Sequence, residues 1–177
     1  EESPKVKELE EDLREMEIMV EEFLSFARGE GTEEVSENDL SVILGSVVRS
    51  AGASGGNVTL ETDRELRFYM RPNAIRRCFT NLVVNATTHS DKVEVHAERR
   101  GNLVEVLVDD DGPGIPEDLR EAVFKPFYRL DASRNPKTGG TGLGLSIARD
   151  LARGSGGDIV LEESPLGGLR ARVRLPV

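Results

Sequence analysis

The chain has 177 residues, room for one average domain with a short extension. Apolar residues make up 37% of it, enough to fill a core, and no apolar run reaches the roughly eighteen needed to span a bilayer. A net charge of -10 speaks against a nucleic-acid backbone as partner, while a single cysteine, Cys78, and two histidines, His89 and His96, exclude an internal disulfide framework and leave little for zinc.

The charge is unevenly placed. Residues 1–34 carry 13 acidic and 4 basic side chains, whereas the remainder carries 20 and 19. Gly29, Gly31 and the polar residues after them read as a connection. The expected organisation is therefore a helical module over 1–30, a linker over 31–38 and one compact domain over 39–177. Ser3 can cap the first helix and Pro4 suits its first turn. Val6, Leu9, Leu13, Met16, Val20, Phe23 and Ala27 then recur at alternating spacings of three and four, an unbroken apolar seam. A lone helix of this kind is marginal in water. It either folds back on its own domain or joins an intermolecular bundle.

The larger domain alternates helices and strands. A helix is expected over 39–49, with Leu40, Ile43, Leu44, Val47 and Val48 on its apolar side. Two short strands, 58–61 and 66–70, are joined by a charged connection. Pro72 opens a helix running to about residue 88, with Ile75, Phe79, Leu82, Val83 and Ala86 toward the core. Strands over 92–98 and 103–109 flank Gly101-Asn102, a hairpin signal. A turn over 112–116, helical turns over 119–124, a polar connection over 128–142 and a helix over 143–153 follow. Strands over 159–163 and 169–175, about the turn Pro165-Leu166-Gly167-Gly168, close the domain. Hairpins set apart from helices favour an α/β sandwich, a mixed and mostly antiparallel sheet with helices on one face.

Three places carry chemistry. Along the strand ending at Asp110, Val104, Val106, Val108 and Asp110 share a face, so the carboxylate ends an apolar wall and needs donors such as those of an adenine-like base. Gly112 and Gly114 would let a flat ring approach the backbone. Taken alone, the stretch Asp109-Asp110-Asp111 fits a solvated acidic turn equally well. The run Gly139-Gly140-Thr141-Gly142-Leu143-Gly144-Leu145 leads into an apolar helix, whose free N–H groups suit phosphate oxygens, or it is a plain hinge. It lacks the Gly-Lys-Ser or Gly-Lys-Thr of a P-loop. On the helix after Pro72, Asn81, Asn85 and His89 are spaced i, i+4, i+8. An asparagine oxygen suits Mg²⁺ that also holds phosphate, although an ordinary wet helix face reads the same. His96, between Val95 and Ala97, reads as a surface histidine.

Taken in order, Asn81-Leu-Val-Val-Asn85-Ala86, Asp110-Asp111-Gly112-Pro113-Gly114-Ile115, Phe124-Lys125-Pro126-Phe127-Tyr128-Arg129 and Gly140-Thr141-Gly142-Leu143-Gly144-Leu145 resemble the ATP-binding catalytic domain of bacterial sensor histidine kinases, nearest the osmosensor-like subgroup. The resemblance covers roughly residues 35–177. It implies the Bergerat (GHKL) sandwich shared with gyrase, a heat-shock chaperone and mismatch-repair ATPases, with ATP and Mg²⁺ as cofactors. It implies that Asn85 coordinates Mg²⁺, with Asn81 and His89 beside it as catalytic and nucleotide-binding groups. Asp110 would read adenine, with Gly112, Gly114 and Ile115 lining the base. Phe124 and Phe127 would anchor a lid over 128–141 that includes Tyr128 and Arg129, and Gly140, Thr141, Gly142, Leu143, Gly144 and Leu145 would complete the nucleotide site.

Residues 8–28 resemble the second helix of the dimerisation and phosphoacceptor hairpin; the first, with its acceptor histidine, is not in this sequence. The implied function is to hold Mg-ATP while that histidine attacks the γ-phosphoryl in line. The implied partners are a second copy through the N-terminal helix, weakly in this fragment, and a response regulator. No nucleic acid and no direct membrane contact are implied for this portion, which would be the cytoplasmic part of a bacterial inner-membrane protein. Asn81 stands where ATP-hydrolysing relatives carry a glutamate, and an amide cannot take a proton from water. Thr88 stands where family members usually carry lysine or arginine, and a threonine cannot neutralise a phosphate. Ser155 replaces a frequent histidine. The alternatives are a degenerate nucleotide-sensing scaffold and a conformational ATPase.

Overall fold

The structure, a computed structural model, describes residues 33–63, 65–130 and 141–177. Within the N-terminal stretch it describes Val6, Leu9, Leu13, Met16, Val20 and Leu24, all helical and all exposed. The expected cap at Ser3 and Pro4, the seam positions Phe23 and Ala27, and residues 131–140 lie outside the described residues.

Strand β1 (Ser36–Asp39) leads into helix α1 (Leu40–Ala53). Asp39 caps α1: its Oδ1 accepts from the Ser41 amide at 3.0 Å and from the Leu66 amide at 3.3 Å. Strands β2 (Val58–Thr62) and β3 (Arg67–Met70) follow, then helix α2 (Pro72–His89), the hairpin β4 (Val93–Arg100) and β5 (Leu103–Asp110), helix α3 (Gly144–Gly154), and the hairpin β6 (Asp158–Glu163) and β7 (Leu169–Pro176). Two single 3₁₀ turns, Glu117–Leu119 and Ala122–Phe124, occupy the helical stretch expected over 119–124.

Five strands form one sheet in the order β2-β4-β5-β7-β6, antiparallel except for the parallel pair β2–β4, with Val58 opposite Val93. The connection between β2 and β3 is not a hairpin. β3 turns away and pairs instead with β1 in a separate two-stranded sheet, Ser36 opposite Met70. Ser36, Glu37 and Asn38, expected as linker, are therefore part of the folded unit.

Each strand buries alternate residues against the helices: Val93, Val95 and Ala97; Val104, Val106 and Val108; Ala171, Val173 and Leu175. Leu40, Leu44, Ile75, Phe79, Leu82 and Val83 meet them from α1 and α2. The opposite face of the sheet carries charge. Glu105 and Asp109 of β5 are nevertheless buried, because arginines of β7 lie over them. Arg170 makes a two-pronged pair with Asp109 at 2.8 and 2.9 Å. Arg172 and Arg174 reach Glu105 at 2.8 and 3.0 Å. Burial pushes the Glu105 carboxyl up, but its bonds from Arg172 and Arg174 outweigh that and hold it below the usual carboxylate range.

Candidate functional site

The three consecutive aspartates at the end of β5 do three different things, and none is simply solvated. Asp109 faces the charged side of the sheet and pairs with Arg170. Asp111 Oδ1 accepts the amides of Asp91 and Lys92 at 3.0 and 2.9 Å, which ties the loop after α2 to the end of β5. Asp110 lies on the helix side, 5% exposed. Its Oδ1 accepts the Gly112 amide at 2.9 Å and the Leu169 amide at 3.0 Å, and its backbone carbonyl accepts from Gly168 at 3.1 Å. Among the described residues nothing donates to Asp110 Oδ2.

Backbone approaches this carboxylate too closely for side chains. A Cβ at Gly112 would lie 2.6 Å from the His89 carbonyl oxygen. Gly114, at φ 69, packs on Gly168. The site therefore brings together the end of α2, the turn after β5 and the β6–β7 turn. Ile115 is half-buried against the core, and its carbonyl accepts from Arg120 Nε at 3.0 Å.

Helix α2 buries one face and leaves the Asn81–Asn85–His89 stripe beside it. Pro72 and a remote acid start the helix: Glu33 accepts the Asn73 and Ala74 amides at 2.7 and 3.0 Å. Along the stripe, Asn81 Nδ2 is buried without a hydrogen-bond partner, a costly state for an amide. Asn85 is half-buried and His89 exposed. Thr88, seven residues after Asn81, borders the stripe. It lines a groove of about 570 Å³ between α1 and α2, and its hydroxyl donates to the Val84 carbonyl at 2.7 Å. No arginine or lysine occupies this position; the cation at the stripe's own spacing is Arg77, four residues before Asn81.

The glycine-rich run meets the other candidate residues through backbone. Phe127, at φ 64, donates to the Gly142 carbonyl at 3.0 Å. It is the one non-glycine residue among those described with positive φ. Gly142, at φ 72, has no room for a Cβ, which would meet the Phe127 carbonyl carbon at 2.9 Å. The two ends of the stretch 128–141 are thus clasped together, with the Phe127 side chain exposed and Tyr128 packed on the core. Thr141 Oγ1 accepts the Leu143 amide at 3.3 Å just before α3 starts at Gly144. Leu143 is buried and Leu145 packs against the core. Arg129 is exposed, and Gly140 lies outside the described residues.

Phe124 is a core residue, 8% exposed, with the Arg149 guanidinium 4.2 Å above its ring. Arg149 in turn holds Glu121 at 2.7 Å and Asp158 at 3.0 Å. Burial raises the Asp158 carboxyl, but bonds from Arg153 and Arg149 prevail and bring it down to about 2. This network fastens the 3₁₀ turns to α3. Cys78 donates to the Ala148 carbonyl at 3.3 Å across the α2–α3 contact, and burial pushes its thiol up to about 12. It is a packing residue.

Residues 70–177 match the family described as histidine kinase-, DNA gyrase B-, and HSP90-like ATPase. The chain belongs to this ATPase family. It is similar to the sensor histidine kinase CpxA of Escherichia coli, 33% identical over 184 residues, which cover 99% of this chain and 40% of that protein. It is also similar to the sensor histidine kinase GtrS of Pseudomonas aeruginosa, 35% identical over 93% of this chain and 34% of that protein. The chain thus spans well under half the length of these relatives. Among solved structures, the ATP binding domain of PrrB from Mycobacterium tuberculosis matches with a TM-score of 0.69 and 28% identity, covering 81% of this chain and 97% of that one. The catalytic domain of the histidine kinase ThkA matches with a TM-score of 0.69 and 30% identity, covering 81% and 95%.

Sequence reasoning found the motifs of this ATPase family but missed the groups that hold them. Glu33 lay in an expected linker. Gly168 falls within a predicted turn, although its neighbour Gly167, at φ 100, already supplies the left-handed residue that turn needs. The second glycine was the available signal.

Proposed function

We propose that this chain binds Mg-ATP between α2, the end of β5 and the start of α3. It would present the γ-phosphoryl group to a histidine on a hairpin helix outside this sequence, as the ATP-binding catalytic portion of a two-component sensor histidine kinase. The observation that carries the reading is Asp110: a buried carboxylate with one oxygen held by two backbone amides and the other without a donor among the described residues. An adenine amino group is a donor of the right kind.

The donor set fits a metal-bound nucleotide. No group of three or more His, Cys, Asp or Glu residues among those described could hold a metal ion alone. A single asparagine oxygen, from Asn85, fits Mg²⁺, which takes few protein ligands and keeps phosphate and water. The unpartnered Nδ2 of Asn81 is a donor for a phosphate oxygen or a water beside it. When bound, Mg-ATP supplies the transferable phosphoryl group and a metal that offsets its charge.

Asp110 fixes the base, and Gly112 and Gly114 bring backbone against it. Asn85 holds the metal, and His89 at the end of the stripe donates to phosphate. The amide groups opening α3 face the phosphate chain. Asn81 takes no proton from water, so the site favours transfer over hydrolysis. These are positioning and electrostatic contributions, the ones phosphoryl transfer needs.

In this reading residues 1–30 are part of the dimerisation and phosphoacceptor hairpin, and the catalytic domain begins with β1. The exposed helical residues Val6, Leu9, Leu13, Met16 and Val20 would pair with a second copy. The motif resemblance to sensor histidine kinases, and relatives that carry that name, fit a response regulator as partner and the cytoplasmic portion of a membrane-bound sensor.

The test supplies the phosphoacceptor hairpin as a separate protein with γ-labelled ATP and Mg²⁺. Acid-labile label on the hairpin is expected, lost with Asn85→Ala. Steady phosphate release without transfer would indicate a conformational ATPase. ATP binding with neither outcome would indicate the degenerate sensor that Thr88 suggests.

A further inference from the structure

The β6–β7 turn lies far from the glycine-rich run and from α2 in sequence, yet it touches Asp110 at three points. The Leu169 amide donates to Asp110 Oδ1, the Gly168 amide donates to the Asp110 carbonyl, and Gly168 itself lies against Oδ1. A Cβ at Gly168 would overlap Asp110 Oδ1 and come within 2.5 Å of the Gly112 nitrogen and 2.6 Å of the Asp110 oxygen. The backbone at Gly168 is not in the left-handed region, so glycine is not required there for the turn. That need is met by Gly167. What glycine permits at 168 is contact with the carboxylate and its neighbouring amide.

We propose that Gly168, with the Leu169 amide, is a positioning clamp that fixes the rotamer of Asp110 and so sets the preference for adenine. The inference rests on the reading of Asp110 given above. Two amides, from Gly112 and Leu169, converge on Oδ1. Both donors that the described residues give the carboxylate are thereby spent on one oxygen, and Oδ2 is held at a fixed orientation for a ligand. Either carboxylate oxygen accepts, so the choice of an amino group over a carbonyl depends on the acceptor staying in place: a carboxylate free to turn lets the base shift or a water bridge to a carbonyl, and the discrimination falls. The clamp also couples the last hairpin of the sheet to the site. Gly114 packs on Gly168, and Ser164 bonds the Gly168 carbonyl through its amide at 2.9 Å.

The experiment compares ATP and GTP affinities by calorimetry for the unmodified chain, Gly168→Ala, Asp110→Asn and the double variant. Gly157→Ala serves as control, because a Cβ there overlaps the Arg174 carbonyl away from Asp110 and strains the fold without touching the clamp. Gly168→Ala is expected to lower the ATP-to-GTP affinity ratio at least tenfold, with the double variant no worse than Asp110→Asn alone. Gly157→Ala, although less stable, is expected to keep the ratio. If Asp110→Asn lowers the ratio but a folded Gly168→Ala does not, the clamp is overturned while the reading of Asp110 stands. If Asp110→Asn changes nothing, both fall. Should Gly168→Ala fail to fold, amide exchange in the unmodified chain decides: the Leu169 amide exchanges slowly if the clamp holds, and at the rate of an unprotected turn amide if it does not.

Discussion

Around Asp110 the chain engages its own polar groups, whereas the polar face of α2 leaves them open. Asp109, Asp110 and Asp111 each have partners within the fold, and the β6–β7 turn closes against the middle one. On α2, Asn81 Nδ2 is buried and unpartnered, and the Asn85 and His89 side chains form no hydrogen bond among the described residues. The first region holds its geometry without a ligand. The second is completed only by one, and Thr88 supplies no charge to draw it in. A ligand with an adenine base and a metal-bound phosphate chain would meet a rigid anchor at one end and a site dependent on its own cation at the other.

The comparison breaks most readily at Asp110. Asp110→Asn should weaken ATP binding by about tenfold to a hundredfold, since an amide placed among donors leaves about 1–3 kcal/mol of unmatched burial. Thermal unfolding should show the fold retained, and calorimetric titration reads the affinity. Undiminished ATP affinity in a folded variant would remove the anchor from the account. On the open face, Asn85→Ala should cost about tenfold, the scale of a disturbed metal site, with Mg²⁺ present and almost nothing in EDTA. Equal losses in both conditions would place the metal elsewhere.

The cap on α2 separates stability from binding. Glu33→Ala should lower stability by about 0.5–2 kcal/mol, the range for a lost N-terminal cap, and leave ATP affinity within twofold. Denaturant titration and calorimetry on the same sample test both halves. The smallest effect is expected from Thr88→Lys. A cation at this exposed position should raise ATP affinity by about twofold to fivefold, the scale of a surface charge pair, and the gain should shrink in high salt. A salt-independent gain would mean that the lysine acts by something other than charge.

Acid titration gives an independent check on the network that holds the 3₁₀ turns to α3. The Asp158 carboxyl is held at about 2, below its usual 3.8, so its contribution is full above about pH 4 and is lost as pH falls toward 2. Glu105, Glu121 and Glu162 are shifted the same way by their arginine partners, despite burial, and add to the same acid decline. Melting temperature should therefore fall steeply below pH 4.5. Asp158→Asn should melt lower at neutral pH and show a shallower decline. Parallel curves for the two proteins would contradict the assignment.

The parts legible in sequence are those where a side-chain type is itself the requirement. The apolar faces of α1 and α2 follow the helical period, and Leu40, Ile75, Phe79 and Leu82 are buried as that period demands. The hairpins at Gly101-Asn102 and before Leu169 carry their turn residues, and the glycine-rich run announces itself by composition. The parts not legible depend on backbone partners remote in the chain. Ser36-Glu37-Asn38-Asp39 has no strand pattern and becomes β1 only because β3 offers it a ladder. The parallel pairing of β2 with β4 crosses α2 and cannot be read from two short apolar runs. Glu33 finds the start of α2 about forty residues later. The grip of Gly168 on Asp110 leaves no mark on composition, because a glycine in a turn is already explained.

The most direct measurement is a calorimetric titration of the unmodified chain with ATP and GTP, each in Mg²⁺ and in EDTA. The account predicts that ATP binds more tightly than GTP in both conditions, because the anchor at Asp110 needs no metal, and that EDTA weakens ATP severalfold or more, because the face of α2 does. GTP binding as tight as ATP, or ATP binding indifferent to Mg²⁺, would contradict it.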